Sequence, residues 1–270
     1  MIHIDPYSVC TCLIQIIGEG HRLGTATGFF WKAGTQTFLV SNWHVFSGRE
    51  PRTGQPKSKT YLVPSALQVH FHIRPDPNRT VQLTAPLQQA DRKVLWYQHS
   101  THGQKVDVAV LDLTALLSQV SGESGQTIEP FFVNQLPQVN DMLLVMGSDI
   151  FILGYPLGIA KTGIFPVWKR GSIATEWEVN VEGLPCFLVD TATREGISGS
   201  PVIARAFGSY MTTDGSQAFS GVVNMFLGVY SGRYVGGIDE AQLGIIWKKQ
   251  LLEEIIAQPA PGDFQLFKDG

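Results

Sequence analysis

Gly196-Ile197-Ser198-Gly199-Ser200-Pro201 places a serine between two glycines, ahead of a small residue and a proline. A nucleophilic serine on a tight turn needs this composition. Gly196 leaves the backbone free to turn its N–H inward, and Gly199 is expected to leave room for substrate beside the serine. The N–H groups of Gly196 and Ser198 can then point at one spot and stabilise a developing oxyanion. A polar turn without chemistry has the same composition, so the hexapeptide has to be read with its surroundings.

A serine nucleophile needs a base, and the base needs an orienting carboxylate. Of the seven histidines, His44 stands at the end of a strong strand pattern among small and polar neighbours, in Thr37-Phe38-Leu39-Val40-Ser41-Asn42-Trp43-His44-Val45. Upstream, Gly24-Thr25-Ala26-Thr27-Gly28-Phe29-Phe30 reads as another strand. The turn Ala33-Gly34-Thr35-Gln36 joins the two as a hairpin. The carboxylate candidate is Asp107, in Val106-Asp107-Val108-Ala109-Val110-Leu111-Asp112-Leu113. That run is apolar on both sides of Asp107, and a buried acid needs a partner. Asp112 competes from the polar end of the run.

The order His44, Asp107, Ser198 resembles that of the trypsin/chymotrypsin superfamily, whose triad runs His, Asp, Ser along the chain. The local motifs are most similar to the bacterial HtrA-like branch. Gly28-Phe29-Phe30, Ser41-Asn42-Trp43-His44-Val45, Asp107-Val108-Ala109-Val110, Gly154-Tyr155-Pro156-Leu157-Gly158, the serine hexapeptide and Leu243-Gly244-Ile245-Ile246 follow in the family's order, and the likeness runs from residue 8 to residue 257. The resemblance implies an all-β, chymotrypsin-like fold of two six-stranded antiparallel β-barrels with a short C-terminal helix. It implies a serine endopeptidase that works through an acyl-enzyme and needs no metal or organic cofactor. His44, Asp107 and Ser198 would be catalytic, and Gly196 and Ser198 would form the oxyanion hole. Ala192, Thr193, Ser231 and Gly232 would bind substrate. Ser231, in Gly228-Val229-Tyr230-Ser231-Gly232, resembles the family's strand beside the substrate, where its hydroxyl would help hold Asp107. The expected partners are a peptide or protein substrate and, as in HtrA-like relatives, an activating partner or second subunit. The alternative is a catalytically silent fold of this type used as a protein-binding module. The presence of all three triad residue types favours the enzyme.

Two positions depart from the family pattern. Zymogen-type relatives carry an aspartate just before the nucleophile, which pairs with a freed amino terminus. Here Ile197 stands there, so residues 191–197 must be ordered by something else. The residue six before the serine, at the floor of the specificity pocket in trypsin-like relatives, is Ala192 rather than an acid. Small or medium apolar side chains are the expected preference, with Asp239 and Glu240 able to approach from the other wall.

The 270 residues are enough for one two-barrel domain with a large core. Hydrophobic residues make up 44% and charged residues 16%, which suits a strand-rich globule. A net charge of −3 gives no broad attraction to nucleic acid or an anionic membrane. No apolar run reaches the length of a membrane span. The start, Met1-Ile2-His3-Ile4-Asp5-Pro6, lacks the pattern of a secretory signal. The three cysteines make no disulfide framework. Together these point to a cytoplasmic protein, and the resemblance points to a bacterial one. Cys10 and Cys12 are expected on one face of the first strand, buried like Cys186.

The chain reads as one protease domain over 1–270, without a PDZ domain. Residues 1–118 form the N-terminal barrel, 119–148 the crossover, 149–247 the C-terminal barrel and 248–257 the helix. Strands are expected at 8–17, 22–32, 37–45, 67–73, 80–87, 93–99, 149–154, 166–175, 184–190, 201–205, 218–223, 226–231 and 243–247. Leu251, Leu252, Ile255 and Ile256 share a helical face, and Pro259 and Pro261 stop that helix. His70 and His72 share a strand face without a third metal ligand, and His99 and His102 are expected in an exposed loop.

Overall fold

Successive apolar residues in Thr37–Ser41 face two cores in alternation, which sets the first sheet between them. The computed structural model describes residues 4–58, 62–91, 93–160, 164–192, 194–234 and 242–263. In chain order the elements are α1 (Pro6–Cys10), β1 (Thr11–Gly18), β2 (His21–Ala33), β3 (Gln36–Ser41), α2 (Trp43–Ser47), β4 (Ala66–His72), β5 (Thr80–Pro86), β6 (Trp96–His99), β7 (Ala109–Asp112) and α3 (Thr114–Ser124). Then come β8 (Asp149–Gly154), β9 (Val167–Ile173), β10 (Cys186–Asp190), β11 (Pro201–Met211), β12 (Gln217–Arg233), β13 (Leu243–Lys248), α4 (Lys249–Ala257) and β14 (Pro259–Pro261).

The chymotrypsin-like, two-sheet all-β architecture is present. The second sheet is a closed six-stranded barrel in the order β10-β13-β12-β11-β8-β9. The first departs from the expected six strands. It has eight, in the order β14-β6-β7-β3-β2-β1-β4-β5, and β14, from beyond α4, supplies one edge. On β3, Leu39 points into the core of the first sheet, with Phe30, Trp43, Phe71 and Trp96. Phe38 and Val40 point the other way, into a core shared by the two sheets. There Phe226 of β12 packs edge-on against Phe29 of β2, ring centroids 5.6 Å apart. The amphipathic face of α4 closes this shared core with Leu251, Leu252 and Ile255, as its spacing predicts. A third core, with Ile150, Phe187, Val202 and Ile246, fills the second barrel.

Several elements differ from the sequence reading. The first strand begins at Thr11 rather than residue 8. Asp5 caps a short helix by accepting from the Tyr7 N–H at 2.9 Å, with Pro6 in its first turn. Cys10 therefore lies on α1 and enters the shared core, while Cys12 enters the first-sheet core. All three cysteines are free and buried. Residues expected as the start of the crossover belong to α3, which ends at Gly125 with φ 66°. The strands expected at 218–223 and 226–231 are one strand, β12, paired with β11 along its length with two register shifts.

His99 is buried rather than exposed, because β14 and α4 cover β6. Its Nε2 donates to Glu254 Oε2 at 2.9 Å, and its Nδ1 accepts from the N–H groups of Thr101 and His102. His72 is also buried, its ring stacked on Phe165 and its Nδ1 2.6 Å from the Pro77 carbonyl. Among the described residues, no group of three or more His, Cys, Asp or Glu is placed to hold a metal ion. No helix there is long and apolar enough to cross a membrane.

Candidate active site

Strand register brings His44 and Asp107 together. β3 and β7 run antiparallel with Ser41 opposite Ala109. His44 follows Ser41 by three residues, and Asp107 precedes Ala109 by two, so both leave the same end of the ladder. The chain turns there into α2, and His44 points back at the acid. Its Nδ1 lies 2.8 Å from Asp107 Oδ2, and its backbone N–H donates to Asp107 Oδ1 at 3.0 Å. Asn42 Nδ2 holds the Asp107 carbonyl at 2.7 Å. Both side chains are buried, at 9% and 7% exposure. A carboxylate beside Nδ1 can only accept, so the ring proton sits on Nδ1 and the Nε2 lone pair faces the cleft. Asp112 has different work. It accepts from the Thr114 N–H at 2.9 Å and from Gln36 Nε2 at 2.8 Å, at the start of α3.

The serine arrives from the other sheet. Pro201 opens β11 opposite Val229 of β12. The ladder continues past the strand end, with Gly199 N–H to Tyr230 O and Tyr230 N–H to Ser200 O, both 2.9 Å. Ser198 sits at the turn just before. Ser200 closes that turn, its N–H and Oγ donating to the Ile197 carbonyl at 3.0 and 2.6 Å. Ile197 is 1% exposed and packs in the second barrel's core with Ile150, Ile152 and Val202. An apolar anchor thus stands where the zymogen-type pattern has an ion pair.

The first sheet holds this turn through Thr27, which the sequence reading left unassigned. Its N–H donates to the Ser198 carbonyl at 2.9 Å. Its Oγ1 donates to the Gly196 carbonyl at 2.8 Å and accepts from the Tyr155 N–H at 3.0 Å. Leu157 N–H takes the Glu195 carbonyl at 2.7 Å. With their carbonyls drawn back, the N–H groups of Gly196 and Ser198 are used in no hydrogen bond among the described residues. Gly196 has φ 93°, and a side chain there would strike the backbone of Tyr155 and Leu157. The role expected of Gly199 changes. It has φ 85°, and a side chain on it would strike Thr27 O and Ser41 Oγ rather than substrate. It is glycine because the two sheets meet there.

Ser198, His44 and Asp107 line one cleft of about 1060 Å³. Among the described residues, no hydrogen bond joins Ser198 Oγ to His44, a contact that substrate commonly tightens. Ser231 and Gly232 line the same cleft. Among the described residues, no hydrogen bond links Ser231 to Asp107, whose oxygens are both taken by His44. Ala192 is exposed and is not among the cleft-lining residues. Thr193, Asp239 and Glu240 lie outside the described residues. Apolar side chains, including Leu184, Leu188, Ile245 and Trp247, line part of the cleft.

The trypsin-like peptidase domain matches residues 26–208, so the chain belongs to that family. Its fold is shared with a serine endoprotease from Yersinia pestis, 10% identical, with a TM-score of 0.51 over 96% of this chain and 67% of that one. A protease from M. tuberculosis in its active form is 15% identical, with a TM-score of 0.49 over 96% and 85% of the two chains. An HtrA-type protease with a tripeptide is 12% identical, with a TM-score of 0.48 over 93% and 60%. A search of curated proteins gave no match.

Proposed function

We propose that the protein is a serine endopeptidase in which Ser198, His44 and Asp107 act as nucleophile, base and orienting acid. The observation that carries this is the grip of Asp107 on His44. Both carboxylate oxygens bind one histidine, through its ring and its own backbone N–H. That leaves Nε2 as a lone-pair acceptor in a cleft that also holds a serine. Ser198 Oγ adds to the scissile carbonyl as its proton passes to His44 Nε2. The carbonyl oxygen takes the negative charge and faces the N–H groups of Gly196 and Ser198. Collapse breaks the C–N bond, and His44 returns the proton to the leaving amine. Water, deprotonated by the same nitrogen, then releases the acyl group and restores Ser198.

Peptide is favoured over small esters because β12 offers the backbone of Ser231–Arg233 along the cleft, a ready edge for an extended chain. We extend the proposal to the domain boundaries, with residues 1–270 acting as one protease unit. The test is a peptide-library cleavage profile with Ser198→Ala as control. Defined cleavages present with the wild type and missing with the variant support the reading. Identical profiles, or none, overturn it in favour of a silent binding fold.

A further inference from the structure

We propose that Arg52, Tyr234 and Glu182 form a bridge across the cleft that bars the groove on the amino-terminal side of the scissile bond. The proposal rests on the peptidase reading of this cleft and adds to it a limit on which part of a peptide is recognised.

The three residues come from separate parts of the chain. Arg52 lies in the first sheet's loop after α2, Tyr234 follows the end of β12, and Glu182 sits on a hairpin of the second barrel. All three line the cleft that holds Ser198 and His44. The Arg52 guanidinium carbon lies 5.2 Å from the centroid of the Tyr234 ring, within cation–π range. The Tyr234 hydroxyl donates to Glu182 Oε1 at 2.6 Å. The contacts therefore run without a break from one wall of the groove to the other.

Each anchor is built. The Arg52 loop is closed by Glu50 N–H to Gln55 O and Gly54 N–H to Glu50 O, both 2.8 Å, and by Lys57 N–H to Gly48 O at 2.9 Å. Gln104 Nε2 reaches the Pro51 carbonyl at 3.2 Å and ties the loop to the first sheet. On the opposite side, Leu184 N–H donates to Val181 O at 3.0 Å around a two-residue turn. Both turn residues are left-handed, Glu182 at φ 53° and Gly183 at φ 75°. Asparagine, aspartate or glycine suits the first such position, and a longer side chain is disfavoured there. Here the disfavoured residue supplies the acceptor for Tyr234. Lys248 Nζ, bonded to Asn180 Oδ1 at 2.9 Å, holds the approach to that turn.

Strand geometry fixes where the bridge stands. An extended peptide advances about 3.3 Å per residue. With its carbonyl carbon at Ser198 and its backbone along Ser231, Gly232 and Arg233, it reaches Tyr234 about three residues before the scissile bond, by the same rise per residue. A longer acyl side has to part Arg52 from Tyr234 or leave the groove. Up to that point added residues gain contact, and beyond it they gain none.

The experiment compares two peptides with the same cleavage sequence, chosen from the library profile, carrying three or six residues before the scissile bond. The readout is the ratio of kcat/KM, six over three, within each protein, so a change in active fraction cancels. The wild type should show a ratio near one. Arg52→Ala and Tyr234→Ala should raise it roughly tenfold, the worth of burying about one more apolar side chain. Tyr234→Phe keeps the ring beneath Arg52 but releases Glu182, and should fall between. A wild-type ratio already near tenfold, or one unchanged across the variants, overturns the bridge. An alkyl fluorophosphonate with no peptide, run on every variant, reads Ser198 alone. Labelling with unchanged ratios condemns only the bridge. If the bare probe fails on the wild type, the peptidase reading fails and the bridge falls with it.

Discussion

The His44–Asp107 pair and the Ser198 turn are built in opposite ways. The pair belongs to one sheet. Its two residues leave the same end of the β3–β7 ladder, and its bonds, including the one from Asn42, stay within 65 residues of sequence. The serine turn depends on both sheets. Ile197 anchors it in the second barrel, and Thr27 reaches it from the first across 169 positions in sequence, as far as Gly196. The proposed base and acid are therefore positioned once the first sheet folds. The proposed oxyanion donors are positioned only when the two sheets dock.

The sharpest break in this comparison is loss of the proposed nucleophile or base. Ser198→Ala or His44→Ala should lower kcat by roughly 10⁴–10⁶, with the circular-dichroism spectrum unchanged. Next comes Asp107→Asn. An amide facing Nδ1 favours the wrong ring tautomer, and kcat should fall on the order of 10⁴-fold. Asp112→Asn should leave kcat within about threefold, because the Asp112 carboxylate bonds Thr114 at the start of α3 and the exposed Gln36. If steady-state kinetics ranked these two variants the other way, the orienting acid would be Asp112.

The serine turn should break differently. Thr27→Val keeps the shape of the side chain but leaves the Gly196 carbonyl and the Tyr155 N–H without their partner. A misplaced Gly196 N–H costs about 10²–10³ in kcat, while the His44–Asp107 hydrogen bond, followed by the low-field imidazole proton resonance, stays in place. Loss of that resonance in Thr27→Val would show that the two halves are not independent. Ile197→Ala should act mainly on stability, by roughly 2–5 kcal/mol in urea unfolding, as for other buried large-to-small changes. The smallest expected effect lies far from both. Burial pushes the Cys186 thiol up to about 11 and the Cys10 and Cys12 thiols higher still. Iodoacetamide at neutral pH should therefore leave activity intact, and alkylation should appear only as pH rises toward that range or as the chain unfolds.

The parts of the site legible in the sequence are those whose residue types are tied to local pattern. His44 ends a strand, Asp107 interrupts an apolar run, and Ser198 sits among glycines. Each can be read within a few neighbours, and the structure places all three on one cleft. Thr27 was not legible, because a threonine in a Gly/Thr-rich strand satisfies β-propensity and gives no sign that its hydroxyl crosses to the other sheet. The same holds for Gly199, where, besides a φ of 85°, Thr27 O and Ser41 Oγ of the other sheet leave no room for a side chain. His99 reads as exposed because the sequence puts it in a loop before Asp107, while Pro259 and Pro261 read only as the stop of the last helix. They instead form β14, with Pro259 opposite His99. β14 is an edge strand, where proline's missing N–H is tolerated. The Arg52–Tyr234–Glu182 contact joins positions with no shared pattern, so only the fold shows it.

The central claim is that Ser198 is a nucleophile activated by His44. Its most direct test is covalent labelling with an alkyl fluorophosphonate, the adduct mapped by peptide mass spectrometry. The account predicts a single adduct on Ser198 in the wild type, lost in Ser198→Ala and slowed by orders of magnitude in His44→Ala. Equal labelling of wild type and Ser198→Ala, or none of the wild type, would contradict it.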